Sequence, residues 1–226
     1  MGLPEDSYHP DGGAVIRSAA SLEQVYDPPL DVIRRKQLSY LDRHCRKFIE
    51  LSPLVFLSTS AKDGTCDVTP RGDPPGFVSV LDQHTLLLPD RKGNNRLDSL
   101  HNLLENPNVG LVFVIPGINE VLRVNGSAQV VIDPERLAQM AIRGRSPMSA
   151  LLIEVHEAYL HCGRAFSRAR VWDTERFVPR GVLPALSEML ADHSRATNHE
   201  RLVLREGEDA ELFESRRRHA RANRQA

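Results

Sequence analysis

A chain of 226 residues, 41% hydrophobic and 26% charged, has the make-up of a globular protein with one substantial core and flanking additions. Its formal charge of −1 excludes a general polyanion binder, whose affinity comes from neutralising many phosphates. Three cysteines, Cys45, Cys66 and Cys162, cannot all pair and none stands in a C-x-x-C arrangement, which points to reduced thiols in a cytoplasm. The opening MGLPEDSYHPDGG lacks the basic and apolar regions of a secretory leader. The most apolar run, 109–118, is too short to span a bilayer and holds Pro116, so a cytoplasmic protein with no membrane role is expected.

In chain order, residues 1–30 are rich in Pro, Gly and Asp and read as an irregular arm. From 31 to 50, Val32, Ile33, Leu38, Leu41, Cys45, Phe48 and Ile49 recur at helical spacing behind Asp31, a suitable N-cap. One amphipathic helix is predicted there, stopped by Pro53. LVFLSTS at 54–60 is a buried strand, Lys62-Asp63-Gly64 a turn, and 66–71 the returning strand of a hairpin. A second hairpin joins 76–81 to 85–88 through Asp82-Gln83-His84. A helix at 96–105 carries Leu97, Leu100, Leu103 and Leu104 on one face and ends at Asn106-Pro107.

Strands follow at 109–115 and 120–132, joined across Pro116-Gly117; Asp133-Pro134 opens a short helix at 135–142, and 150–160 is a long strand. Beyond Trp172, helices are predicted at 183–192 and 209–221. The second is acidic at its start and arginine-rich at its end, an order that complements the helix dipole; a solvated helix accounts for it better than a nucleic-acid tail. Short strands with turns between them and few helices define a mainly β chain with flanking helices, built on a small antiparallel barrel.

The chemistry-bearing stretch is DVTPRGDPPGFVSVLDQHTLLLPDRKGNNR, residues 67–96. It sets Arg71 near the end of one strand, and Arg91, Lys92, Asn95 and Arg96 between another strand and a helix. A helix N-terminus offers unpaired N–H groups and the positive end of the dipole, and guanidinium forks with a lysine favour a phosphate there. A solvated charged turn is the plainer reading of such a loop taken alone. No G-x-G-x-x-G follows a strand and no G-x-x-x-x-G-K-[ST] or G-x-S-x-G occurs, which speaks against a Rossmann domain, a P-loop and a nucleophile elbow. His156 and His161 are five apart on a strand and do not make a metal pair; no metal is expected. Cys162, beside His161, reads as a buried structural thiol before it reads as a nucleophile.

Taken together, T-P-R-G-D-x-P-G-F, L-P-D-R-x-G-N-x-R, N-P-x-V-G-L-x-F and E-x-L-R-V-N-G resemble the pyridoxamine 5′-phosphate oxidase-like FMN-binding split-barrel family, in its uncharacterised FMN-dependent branch. The resemblance runs over about 52–172. It implies a six-stranded antiparallel split barrel of the FMN-binding type, and a division into an arm (1–30), a barrel with an N-terminal helix (31–172) and a helical extension (173–226). It also implies a homodimer, with the flavin site at the subunit interface.

Carried over by position, Thr69 and Arg71 would lie along the flavin, Arg91, Lys92, Asn95 and Arg96 would hold its phosphate, and Leu88, Pro89 and Asp90 would give backbone contacts. Glu120 and Arg123, with Arg168 and Trp172, would form a wall supplied by the partner. Glu120 and Arg123 are also open to pairing with each other, and Trp172 to a core or interface place. The basic C-terminal segment with which the parent oxidase grips its substrate phosphate has no match in RAFSRARVWDTERF. The function implied is therefore an FMN-dependent oxidoreductase acting on an unknown small molecule, with a non-catalytic flavin, deazaflavin or haem carrier as the alternative. An interaction protein, whose arginine clusters serve surface contacts only, is the third and weakest reading.

Overall fold

The computed structural model describes residues 15–197 and Glu200. The chain divides into two compact units, Met1–Trp172 and Asp173–Ala226. Among its described residues the second unit shows two short 3-10 turns, Thr174–Arg176 and Arg180–Val182, and a helix at Leu186–His193, slightly later than the 183–192 predicted. The helix predicted at 209–221 lies outside the described residues.

The first unit is organised by one antiparallel sheet. Its strands are β1 (Leu54–Ser60), β2 (Cys66–Gly72), β3 (Ser79–Val80), β4 (Thr85–Asp90), β5 (Asn108–Val114), β6 (Val121–Val131) and β7 (Ser149–His161). They lie in the order β2-β1-β5-β6-β7-β4-β3. The resemblance implies six strands; the sheet has seven, the 76–81 segment adding the short β3, which keeps only two residues in the ladder while Phe77 and Val78 are buried in the core. The ladder has two edges, β2 and β3, so hydrogen bonding does not close it into a barrel.

Alternation explains which face each strand buries. In β1, Val55, Leu57 and Thr59 point inward, while Phe56 is 37% exposed. Val55 and Leu57 pack with Leu86, Leu88, Leu111, Phe113, Leu122, Val124, Ile153 and Val155 into one core. A smaller cluster of Leu87, Leu137, Met140 and Ala150 joins β4 and β7 to the helix α5 (Pro134–Gln139), whose first turn is capped by Asp133.

The sheet is bent by a bulge. Asn125 faces Glu157 and Gly126 faces Val155, so His156 has no opposite number on β6.

The single helix predicted at 31–50 is two. α2 (Asp31–Arg35) ends at Lys36, and α3 (Arg43–Leu51) starts afresh behind Asp42, whose carboxylate accepts from the N–H groups of His44 and Cys45. Between them Leu38 exchanges backbone hydrogen bonds with Ala158 on β7, a pairing that takes those residues out of the helix. Only α3 is amphipathic in effect, burying Cys45 and Ile49; Val32 and Ile33 of α2 stay 59% and 47% exposed. Within the arm, α1 (Ala19–Glu23) is a further short helix that the composition did not suggest.

Candidate functional site

The helix predicted at 96–105 begins two residues later, as α4 (Asp98–Glu105), because Asn95 and Leu97 are both left-handed, with φ of 58° and 60°. Leu97 stands at the N-cap with no side chain to bond the first turn, leaving that helix end open. Leu103 is buried and Leu100 half-buried, but Leu104, placed on the apolar face by its spacing, is 77% exposed. Two amides fix the helix against β1: Asn102 Nδ2 donates to the buried Thr59 Oγ1 at 3.0 Å, and Asn106 Nδ2 to Ser60 Oγ at 2.9 Å.

The open end of α4 faces a cleft of about 1110 Å³, whose walls come from the end of β2, the end of β4 with the loop that follows it, and Met148 and Ser149 at the start of β7. Thr69, Arg71, Pro89, Asp90, Arg91, Lys92, Asn95 and Arg96, all named from the sequence, line it together. Leu88 does not; it is 1% exposed and belongs to the core beneath.

Charge pairing organises the cleft. Arg71 of β2 donates from Nη1 to Asp90 of β4. Arg91, the next residue, donates from Nε to Asp73, just past β2, at 2.5 Å. These two pairs, crossed in sense, clasp β2 to β4 across the open side of the sheet, although four strands separate them in pairing order. Arg96 Nε reaches Asp98 at 2.8 Å, and Asp67 accepts from the Ser99 hydroxyl at 2.8 Å.

Two features of the lining stand out. Arg71 Nε is buried with no partner, and among the described residues Lys92 has no carboxylate. A buried N–H without an acceptor is costly. A polar atom of a ligand in the cleft would supply that acceptor.

The second group of residues lies elsewhere in the chain. Glu120 and Arg168 line a separate hollow with Asn119, Gly163, Arg164 and Ser167, at the far end of β7. Trp172 is half-buried beside it; its Nε1 donates to the Ile118 carbonyl at 3.0 Å and its ring lies 5.8 Å from Phe166. Arg123 does not pair with Glu120 but lies 5.2 Å over the ring of Tyr159, which Lys36 also approaches at 5.3 Å. The 13 residues of β7 put its ends roughly 40 Å apart. One chain therefore cannot bring both groups to one ligand.

Asp73, Asp98 and the Ser99–Asp67 pair were missed from the sequence, as were Phe77 and Met148. The complementary order Arg71-x-Asp73 and Asp90-Arg91 was the available signal. Of the thiols, Cys45 is buried while Cys66 and Cys162 are exposed, so Cys162 is not the buried residue expected.

An antiparallel sheet flanked by helices, with a cleft of ion-paired arginines at its open side, is the class that fold and site define. The pattern of the pyridoxamine 5′-phosphate oxidase family matches residues 41–162, and this chain belongs to that family. No curated protein matches it. Among solved structures it is similar to a candidate pyridoxamine 5′-phosphate oxidase from Lactobacillus delbrueckii: 21% identity over 55% of this chain and 98% of that one, TM-score 0.43. It is also similar to HupZ of Group A Streptococcus, with 16% identity over 53% and 92% and a TM-score of 0.42. A third is HutZ, the heme storage protein of Vibrio cholerae, with 12% identity over 51% and 89% and a TM-score of 0.35. No helix among the described residues is long and apolar enough to cross a membrane.

Proposed function

We propose that this chain is an FMN-binding flavoprotein, an FMN-dependent oxidoreductase for a small molecule, working as a homodimer. The observation that carries the reading is the partnerless buried Nε of Arg71 in a cleft that also holds Lys92 and the open end of α4. A phosphate ester suits that set: the helix end and Lys92 take the phosphate, and the Arg91 and Arg96 forks each keep N–H groups beyond the one given to an aspartate. Arg71 Nε and Thr69 lie further along β2, where the ribityl chain or ring edge of a flavin would run. Pro89 and Phe77, both buried, give that wall an apolar floor. When bound, the isoalloxazine supplies the electron and hydride transfer.

The six strands β2-β1-β5-β6-β7-β4 are read as a split barrel whose open side the two ion pairs span, with β3 appended. A second copy would bring Glu120, Arg123, Arg168 and Trp172 to the cleft and cover the uncovered face that exposes Phe56 and Val68.

The test is a titration of FMN and riboflavin into wild type and Arg91→Ala/Arg96→Ala, with the visible spectrum of the purified protein recorded first. Charge-assisted contacts contribute about 1.5–3 kcal/mol each, so the double variant should bind FMN roughly two to four decades more weakly. Riboflavin, which lacks the phosphate, should bind both proteins alike. Unchanged FMN affinity in a folded double variant ends the phosphate reading; a Soret band in place of flavin absorption turns it to haem.

A further inference from the structure

The cations of the cleft are almost fully matched from within. Asp90 meets Arg71, Asp73 meets Arg91 and Asp98 meets Arg96. Lys92 is the remaining cation on the wall and Asp67, held by Ser99, the remaining carboxylate, so the formal charge of the lining is zero. A loop with this many basic residues and no counter-ions would attract any polyanion. Here each arginine is an oriented fork of N–H donors whose charge has been cancelled, and an arriving ligand meets hydrogen-bond donors in a fixed arrangement more than a positive field.

We infer that Asp73 and Asp98 are specificity-determining residues: they restrict the cleft to a ligand carrying one phosphate monoester on an uncharged body and turn away diphosphates. A monoester brings about two negative charges that the helix end, Lys92 and the spare N–H groups can accept. A diphosphate adds another charge and a second phosphoryl group, which must sit among carboxylates that are already in place. The FMN-sized ligand is accepted and a nucleoside diphosphate, or a dinucleotide flavin with its pyrophosphate, is not. This rests on the phosphate-anchor reading of the cleft.

The experiment compares FMN, riboflavin and ADP by calorimetry on wild type, Asp73→Asn, Asp98→Asn and the double variant. Asparagine keeps an oxygen for the arginine N–H and removes only the charge. Because Asp98 is 47% exposed on its side chain and lies outside the β2–β4 clasp, its variant will fold even if Asp73→Asn does not. The affinity for ADP relative to FMN should rise about threefold in each single variant and about tenfold in the double. A ratio within 1.5-fold of wild type in Asp98→Asn, or within twofold in a folded double variant, overturns the inference. If wild type binds FMN no better than riboflavin, the anchor itself is absent and the selectivity falls with it; if FMN wins there and the ADP ratio stays flat, only the selectivity is lost.

Discussion

Gly126 runs so close to Glu154 that a Cβ placed on it would lie 1.9 Å from the Glu154 carbonyl oxygen. The contact sits in the bulge where β6 and β7 change register, between elements that form the backbone of the sheet. Nothing there can give way, since the obstructing atom is main chain. Gly126→Ala should therefore cost more than about 3 kcal/mol of stability by forcing the two strands apart. Urea unfolding followed by circular dichroism measures it, and a loss under about 1 kcal/mol would show that the strands can separate at little cost.

Burial, with Asp42 beside it, pushes the Cys45 thiol up from its ordinary 9.0 to about 11. The folded chain then holds a proton that the unfolded chain releases between those values, so this contribution is complete below pH 9 and is lost as pH rises toward 11. At most about 3 kcal/mol is involved. Stability of wild type should fall across that window more steeply than that of Cys45→Ala. In the native protein an aromatic disulfide reagent should count two thiols, the exposed Cys66 and Cys162, and a third only on unfolding.

Arg168 stands at the opposite end of β7 from the cleft, yet in the proposed dimer it completes the partner's site. Arg168→Ala should then weaken FMN binding by about tenfold or more without altering stability. Mixing subunits of Arg168→Ala with subunits of Arg91→Ala/Arg96→Ala should restore about one quarter of the tight sites, because half the random dimers are mixed and each has one intact site. No recovery after exchange would place Arg168 outside the site.

The local periods made the strands legible. β1 and β2 begin where the alternation and the Asp63-Gly64 turn put them, and β5, β6 and β7 fall within a residue of the expected bounds, because hydrophobic alternation and turn residues are themselves the cause of those elements. The helix predicted at 31–50 failed for a non-local reason. Its continuous apolar spacing was real, but Leu38 finds a backbone partner on Ala158, 120 positions away in the chain, and Asp42 restarts the helix.

The site divided along the same line. The run from Arg91 to Arg96 is contiguous and could be read as it stands, whereas its counter-ions could not. Asp73 meets Arg91 only because the sheet curls until β2 and β4 face each other, and no spacing rule records that approach. The left-handed Leu97 was hidden for a further reason: leucine is a poor predictor of that conformation, which glycine or asparagine would have announced.

Leaving β2 without a second neighbour gives access to the cleft, but it also leaves a seven-residue strand with unpaired peptide groups in solution, the kind of template on which misassembled sheets and amyloid grow. Pro70, fifth in that strand, interrupts the template by lacking an N–H, so a second chain finds no continuous row of partners to zip onto. An exposed residue that adds little to the packed interior thereby protects the newly folded chain from pairing with its own copies through this edge.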